Sequence, residues 1–303
     1  MTTERPPTID PLAAARWAKH IPAESPWLHE EVARRMEERL GWIMRTPQRW
    51  LHWEPLQGGT QAHALLEKRY PKATCYAVQW SPAQQAAARE RLQARWWEKA
   101  LGARPVLHFE APPAPVEMLW ANMALHQQAD PQALMQRWHG HLATDGFLMF
   151  SCLGPDTLRQ LRAVFARHGW PEPCHAFTDM HDWGDMLVQA GFAEPVMDME
   201  HITLSYSSPE ALLAELRQLG RNLHIARFAG LRGRGWQQQL HDALRQGLAA
   251  EGGDGRLTLT FEIIYGHAFK PAPRLPVSGE SVIKLEDMRE VLARPRGPKP
   301  PAR

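Results

Sequence analysis

Cysteine is scarce. The three present, Cys75, Cys152 and Cys174, are far apart and odd in number, which excludes a disulfide framework and predicts a reducing compartment, the cytoplasm. Long apolar runs are also missing, and nothing approaches the roughly 20 consecutive residues of a membrane helix. The opening MTTERPPTIDPLAAARWAKH interrupts any signal-peptide core with charges and prolines. Net charge is only +2, so no one-signed field argues for nucleic acid. Histidine is plentiful, but His139, His141, His175, His181 and His201 repeat no metal-ligand spacing and lack a partner cysteine pair; no metal is expected. No GxGxxG or Walker pattern follows the first strand candidate, which disfavours other nucleotide cofactors. What the chain does have is 303 residues, 44% of them hydrophobic, enough for a large α/β core with an appended part. It also has 13 tryptophans, several close together, such as Trp50 with Trp53 and Trp96 with Trp97. These suit either core packing or an aromatic ligand cradle.

The stretch 118–158 organises the rest. It reads as a buried strand (116–121), a loop carrying Asn122, an amphipathic helix (131–142), a Thr-Asp-Gly turn and a second apolar strand (147–151). A helical crossover of this length joins parallel strands, and the loop after the first strand then lies at the carboxyl edge of the sheet, where open α/β sheets bind ligands. Upstream, prolines predict a loosely held segment over 1–26. A helix over 27–45 presents Leu28, Val32, Met36 and Leu40 on one face. Strands are expected at 49–53, 74–79 and 106–109, with helices at 61–69 and 82–101 between them. Downstream, helices are expected to about 168 and over 177–190, then a strand over 196–206 with a bulge at Glu200-His201. A helical insert follows over 207–250, and a late, antiparallel strand over 257–265. The alternation predicts a doubly wound, Rossmann-like sheet. The main domain spans 27–270, and the Pro- and Arg-rich residues 271–303 read as a disordered tail.

The pieces WANMAL, ATDGFLMFSCLGPDTL, FTDMHDWGDMLVQAGFAEPVMDMEHITLSY and LTFEIIYGHAFKP, in this order of elements, resemble the class I S-adenosylmethionine-dependent methyltransferases. Within that class they are similar to the malonyl-acyl-carrier-protein O-methyltransferase branch of biotin synthesis. The likeness covers roughly residues 28–270 and is most specific from Val116 onward. It implies a seven-stranded, mostly parallel methyltransferase sheet with an antiparallel last strand. It also implies S-adenosylmethionine as methyl donor, a carboxylate acceptor such as a malonyl thioester, and an acyl carrier protein as partner.

Carried onto this sequence, the resemblance places Glu54 at the acidic end of the first strand and Gly58-Gly59 in the turn, where glycine lets the backbone approach a cofactor. Leu56 and Thr60 stand where the outer glycines belong, and Pro55 removes a donor. The same Gly58-Gly59 pair also reads as an ordinary strand-to-helix turn. Gln79 holds the place of the ribose-binding carboxylate; an amide offers one acceptor oxygen where a carboxylate offers two with charge. Trp80 is placed to stack on adenine or simply to pack. Glu110 is placed near the adenine amino group, or as a solvated loop charge. Asn122 and Met123 match the loop lining the methyl-transfer site, though Asn122 also suits a turn at a strand end. Methyl transfer from a sulfonium to an ionised carboxylate needs alignment and no general base. An arginine would hold the acceptor, and Arg221 and Arg227 in the insert are the substrate-binding candidates, in a basic loop that also suits the acidic surface of a carrier protein. The departures at Leu56, Thr60, Pro55 and Gln79 keep a second reading open: a methyltransferase fold that has lost catalysis and serves as a binding module.

Overall fold

A computed structural model describes residues 8–93, 105–249 and 255–273. The chain divides into two units, Met1–Pro271 and Ala272–Arg303. The expected tail, the far end of the helix expected over 82–101, and Trp96 and Trp97 lie outside the described residues. In chain order the helices are α1 (Pro11–Trp17), α2 (Trp27–Arg39), α3 (Pro55–Gly58), α4 (Gln61–Arg69), α5 (Pro82–Leu92), α6 (Pro131–His141), α7 (Arg159–Arg167), α8 (Met180–Gln189), α9 (Pro209–Leu219) and α10 (Arg234–Leu248). The strands are β1 (Arg49–Trp53), β2 (Thr74–Val78), β3 (Leu107–His108), β4 (Val116–Ala121), β5 (Leu142–Leu153), β6 (Ala193–Tyr206) and β7 (Leu257–Phe269).

Local chemistry sets the helix starts. Ser81, Asp130 and Ser208 each cap a helix by accepting a backbone N–H three residues on, at 3.3, 3.0 and 3.2 Å, and each is followed by a first-turn proline. The strands form one sheet in the order β3-β2-β1-β4-β5-β7-β6, with β7 antiparallel to both neighbours and the pairs from β3 to β5 parallel. Strand alternation divides the core. Trp50, Met118 and Trp120 face one layer with α2 and α4, whereas Leu51, Trp53 and Leu119 face the other with α6 and α8. Among the described residues no helix is long and apolar enough to cross a membrane.

Two expectations are corrected. The proline-rich start is folded from residue 8. Asp10 caps α1 at 2.8 Å and ion-pairs with Arg227 at 2.7 Å, the Asp10 N–H donates to the Leu223 carbonyl at 2.8 Å, and Ile9, Ala14 and Leu223 form a small buried cluster. Long-range partners that no local pattern reveals hold it. The bulge expected at Glu200-His201 is absent: β6 pairs with β7 without a shift from Val196 to Tyr206, and the irregularity falls between Ala193 and Val196. The polar pair is accommodated in regular strand because Glu200 accepts from Arg35 at 2.5 Å and from the Tyr265 hydroxyl at 2.8 Å, while His201 meets Asp156 at 3.3 Å.

Close packing of β5 on β7 depends on Gly266, because a Cβ there would overlap the Phe150 ring and Met197 sulfur. Gly266→Ala is expected to cost about 1–3 kcal/mol by overpacking, measured by urea unfolding with an unchanged m-value; wild-type stability would contradict this packing.

Candidate functional site

Where β1 ends, the chain turns abruptly. Glu54 takes a left-handed backbone conformation (φ 50°), Pro55 opens the four-residue α3, and Gly59 (φ 114°) ends it. A non-glycine residue at positive φ is held only where its surroundings determine it. Here the Glu54 N–H donates to the Val78 carbonyl at 3.0 Å and its own carbonyl accepts from Gly58 N–H at 2.9 Å. The turn also presses on the loop after β4: a Cβ on Gly58 would lie 2.9 Å from the Asn122 backbone oxygen. Asn122 is 1% exposed, and its amide donates to the His29 carbonyl at 2.8 Å and to the Gly58 carbonyl. Its Oδ1 accepts from the Ser151 hydroxyl at 2.6 Å, and that hydroxyl oxygen accepts the Met123 N–H at 3.1 Å. The side-chain donors and acceptor of Asn122 thus tie α2, the β1 turn, β4 and β5 together.

In front of this knot lies a cavity of about 440 Å³ whose wall includes Glu54, Gln57, His29, Trp80 and Met123, with Trp17 of α1 across from them. The α1 segment is fastened there by the Gln84 amide on the Ala18 carbonyl (2.7 Å), the Gln57 amide on the His20 carbonyl (2.9 Å), and the Trp17 indole N–H on Gln127. Around the cavity several polar atoms are buried without a partner: Glu54 Oε1, both side-chain ends of Gln79, Gln57 Oε1 and His29 Nε2. Burial pushes the Glu54 carboxyl up to about 8, against the opposing pull of Arg137, and pushes His29 down to about 4. Trp80 stands edge-on to Trp53, and the Arg137 guanidinium lies 4.7 Å from the Trp80 ring and 5.0 Å from the Trp53 ring.

The structure therefore gathers Glu54, Trp80 and Met123 on one wall, with Gly58, Gly59 and Asn122 bracing it from behind. Glu110 is placed elsewhere: it is exposed and pairs with Arg89 at 3.3 Å, away from the cavity wall. Arg227 is turned to Asp10, 2.7 Å away, and holds the segment that begins at residue 8. Arg221 lies 5.2 Å from the Trp17 ring, on the wall of a second cavity. Sequence reading missed His29, Glu30, Gln57 and Arg137. Glu30 accepts the Thr60 N–H at 2.9 Å and the Gln61 N–H at 3.2 Å, filling the start of α4. In the sequence it is one more acid on the polar face of α2, with no spacing to mark it.

S-adenosylmethionine is cationic at its sulfonium and ammonium and carries ribose hydroxyls and a flat adenine. The buried, unpartnered Glu54 carboxyl and the Trp80 indole on one cavity wall, with the unpartnered Gln79 carboxamide at the next strand end and not on that wall, fit that set. The 3-2-1-4-5-7-6 sheet, reversed only at its last strand, with its cavity outside the carboxyl ends of β1, β2 and β4, places the protein among the class I S-adenosylmethionine-dependent methyltransferases. No protein-family model matches the chain. Curated relatives do: it is 39% identical over 268 residues to the malonyl-[acyl-carrier protein] O-methyltransferase of Gallionella capsiferriformans, covering 85% of this chain and 89% of that protein. It is 38% identical over 276 residues to the enzyme of that name from Laribacter hongkongensis, covering 88% of each. The chain belongs to the malonyl-[acyl-carrier protein] O-methyltransferase family. In fold it is similar to a candidate methyltransferase from Bacillus halodurans C-125, with a TM-score of 0.52 and 15% identity over 80% of this chain and 100% of that one.

With its carboxyl raised to about 8, Glu54 keeps a proton in the folded protein that the unfolded chain releases near its ordinary value. The folded state then binds more protons between those limits, so stability falls as pH rises toward 8. Glu54→Gln is expected to flatten that slope and to raise the melting temperature at about pH 8 by more than at about pH 5. Equal shifts at both pH values would contradict a buried, unpartnered carboxyl.

Proposed function

We propose that the chain binds S-adenosylmethionine in the first cavity and methylates the free carboxylate of a malonyl group carried on an acyl carrier protein, the activity named for its relatives in the biotin pathway. The observation that carries this reading is the orphaned Glu54 carboxyl and Gln79 carboxamide at adjoining strand ends, beside Trp80. Bound S-adenosylmethionine supplies an electrophilic methyl group on its sulfonium. Glu54 accepts the ammonium N–H of the methionyl end and is ionised by that contact. Gln79 meets the ribose hydroxyls, and Trp80, steadied by Arg137, offers its ring to the adenine. Gly58 keeps the loop low, and the backbone at Met123 lines the transfer site. Asn122 acts as a positioning residue, since its side chain is already engaged by His29, Gly58 and Ser151. The α1 segment covers the cavity and excludes water. A malonate carboxylate is ionised at neutral pH, so no general base is required, and the protein contributes alignment. The basic stretch holding Arg221, Arg232 and Arg234 suits the acidic surface of a carrier protein. Buried free thiols at Cys75, Cys152 and Cys174 suit the cytoplasm.

Calorimetry is expected to give micromolar affinity for S-adenosylhomocysteine, with Gln79→Asp tightening it roughly tenfold by restoring a charged double acceptor. With malonyl-acyl carrier protein and methyl donor, mass spectrometry should record the gain of one methylene. No binding at millimolar ligand would overturn the cofactor site and favour a non-catalytic module; binding without mass gain would overturn the acceptor.

A further inference from the structure

A second cavity, of about 230 Å³, adjoins the first and shares Gln127 and Leu219 with it as a partition. Its interior is largely apolar, with Leu153, Leu158, Leu161, Leu216 and Phe261 on its wall. Two exposed arginines, Arg217 and Arg221, mark its solvent side. Among the described residues neither guanidinium meets a carboxylate; Arg221 instead donates to the Gly220 carbonyl at 2.9 Å and to the Arg217 carbonyl. Two histidines, each 4% exposed, complete the wall. His175 donates from Nε2 to the His126 carbonyl at 2.8 Å. The Nδ1 of a neutral ring bonded this way is an acceptor, and it is buried without a partner.

A malonyl group alone does not need this space, because its carboxylate must reach the methyl donor beyond the partition. Resting on the reading above, we infer that the second cavity holds the phosphopantetheine arm of the carrier, with its phosphate between Arg217 and Arg221 and its thioester end at Gln127. The chemistry matches at three points. Guanidinium groups suit a phosphate at the solvent end. The leucine-lined interior suits the arm's dimethyl and ethylene segments. An acceptor nitrogen such as His175 Nδ1 suits an amide N–H. The partition is itself anchored: Gln127 accepts from the Trp17 indole and donates to the Leu219 carbonyl at 3.4 Å. The donor side and the acceptor side therefore share one side chain.

The test compares kcat/KM for malonyl-phosphopantetheine with that for malonyl-pantetheine, which lacks the phosphate. Wild type is expected to favour the phosphorylated arm by about tenfold, and Arg217→Gln with Arg221→Gln should bring the ratio to about one. Leu216→Trp, which fills the cavity, should raise KM for malonyl-acyl carrier protein by about tenfold or more, while thermal unfolding reports that it folds. If wild type methylates both malonyl thioesters equally, or the arginine variants keep the preference, the inference is overturned and the methyltransferase reading stands. A fall in S-adenosylhomocysteine affinity that matches the loss of activity, with the phosphate preference intact, assigns Arg221 to Trp17 and also overturns it. Competitive inhibition by a medium-chain fatty acid but not by pantetheine would give the cavity to an acyl chain, again against the inference. If wild type methylates no malonyl thioester, the underlying reading falls first.

Discussion

Everything at the carboxyl edge of this sheet depends on one buried amide. Asn122 joins carbonyls of α2 and the β1 turn to the Ser151 hydroxyl on β5, so four segments distant in sequence are fixed by hydrogen bonds with no water to compete. Such a network is strong because it is dry and fully satisfied, and costly if broken because each freed group would be left unpaired. The close approach of the Gly58 turn to the loop after β4 depends on it.

The knot also sets the electrostatics. By holding α3 closed against β4, it buries the Glu54 carboxyl away from water, with Arg137 as the cation that moderates its charge. Glu30 meanwhile takes the N–H groups at the start of α4. The anionic demand of that helix end is met from within the chain, and an acid is among the unsatisfied groups at the cavity, with Gln57 and His29. A cation beside that acid would favour its ionised form. Gln79, neutral where a second carboxylate is expected, keeps two acids from being buried at adjoining strand ends.

The fold was legible wherever information was local. The β4-α6-β5 unit showed itself through apolar strands, an Asp130 cap and a first-turn proline, and the antiparallel β7 through its Gly-rich approach. The site was only partly legible. Glu54, Trp80 and Met123 each follow a strand end, which marks them in the sequence, and all three line the first cavity. Glu30 and His29 carry no such mark, because they act from α2 across about thirty residues of sequence on groups they meet only in three dimensions. The partners of Arg227 and Glu110 were hidden for the same reason: Asp10 and Arg89 are brought to them by the fold. The segment from residue 8 shows the limit most plainly, since prolines that suggest looseness coexist with backbone carbonyls held by the Gln57 and Gln84 amides and a Trp17 indole that donates to Gln127.

A crystal structure with S-adenosylhomocysteine is the most direct measurement of this account. It should show the ligand's ammonium on the Glu54 carboxylate, its ribose at Gln79 and its adenine against Trp80, with Asn122 still bonded to His29, Gly58 and Ser151. A ligand seated elsewhere, or an Asn122 side chain released from those partners to contact it, would contradict the account.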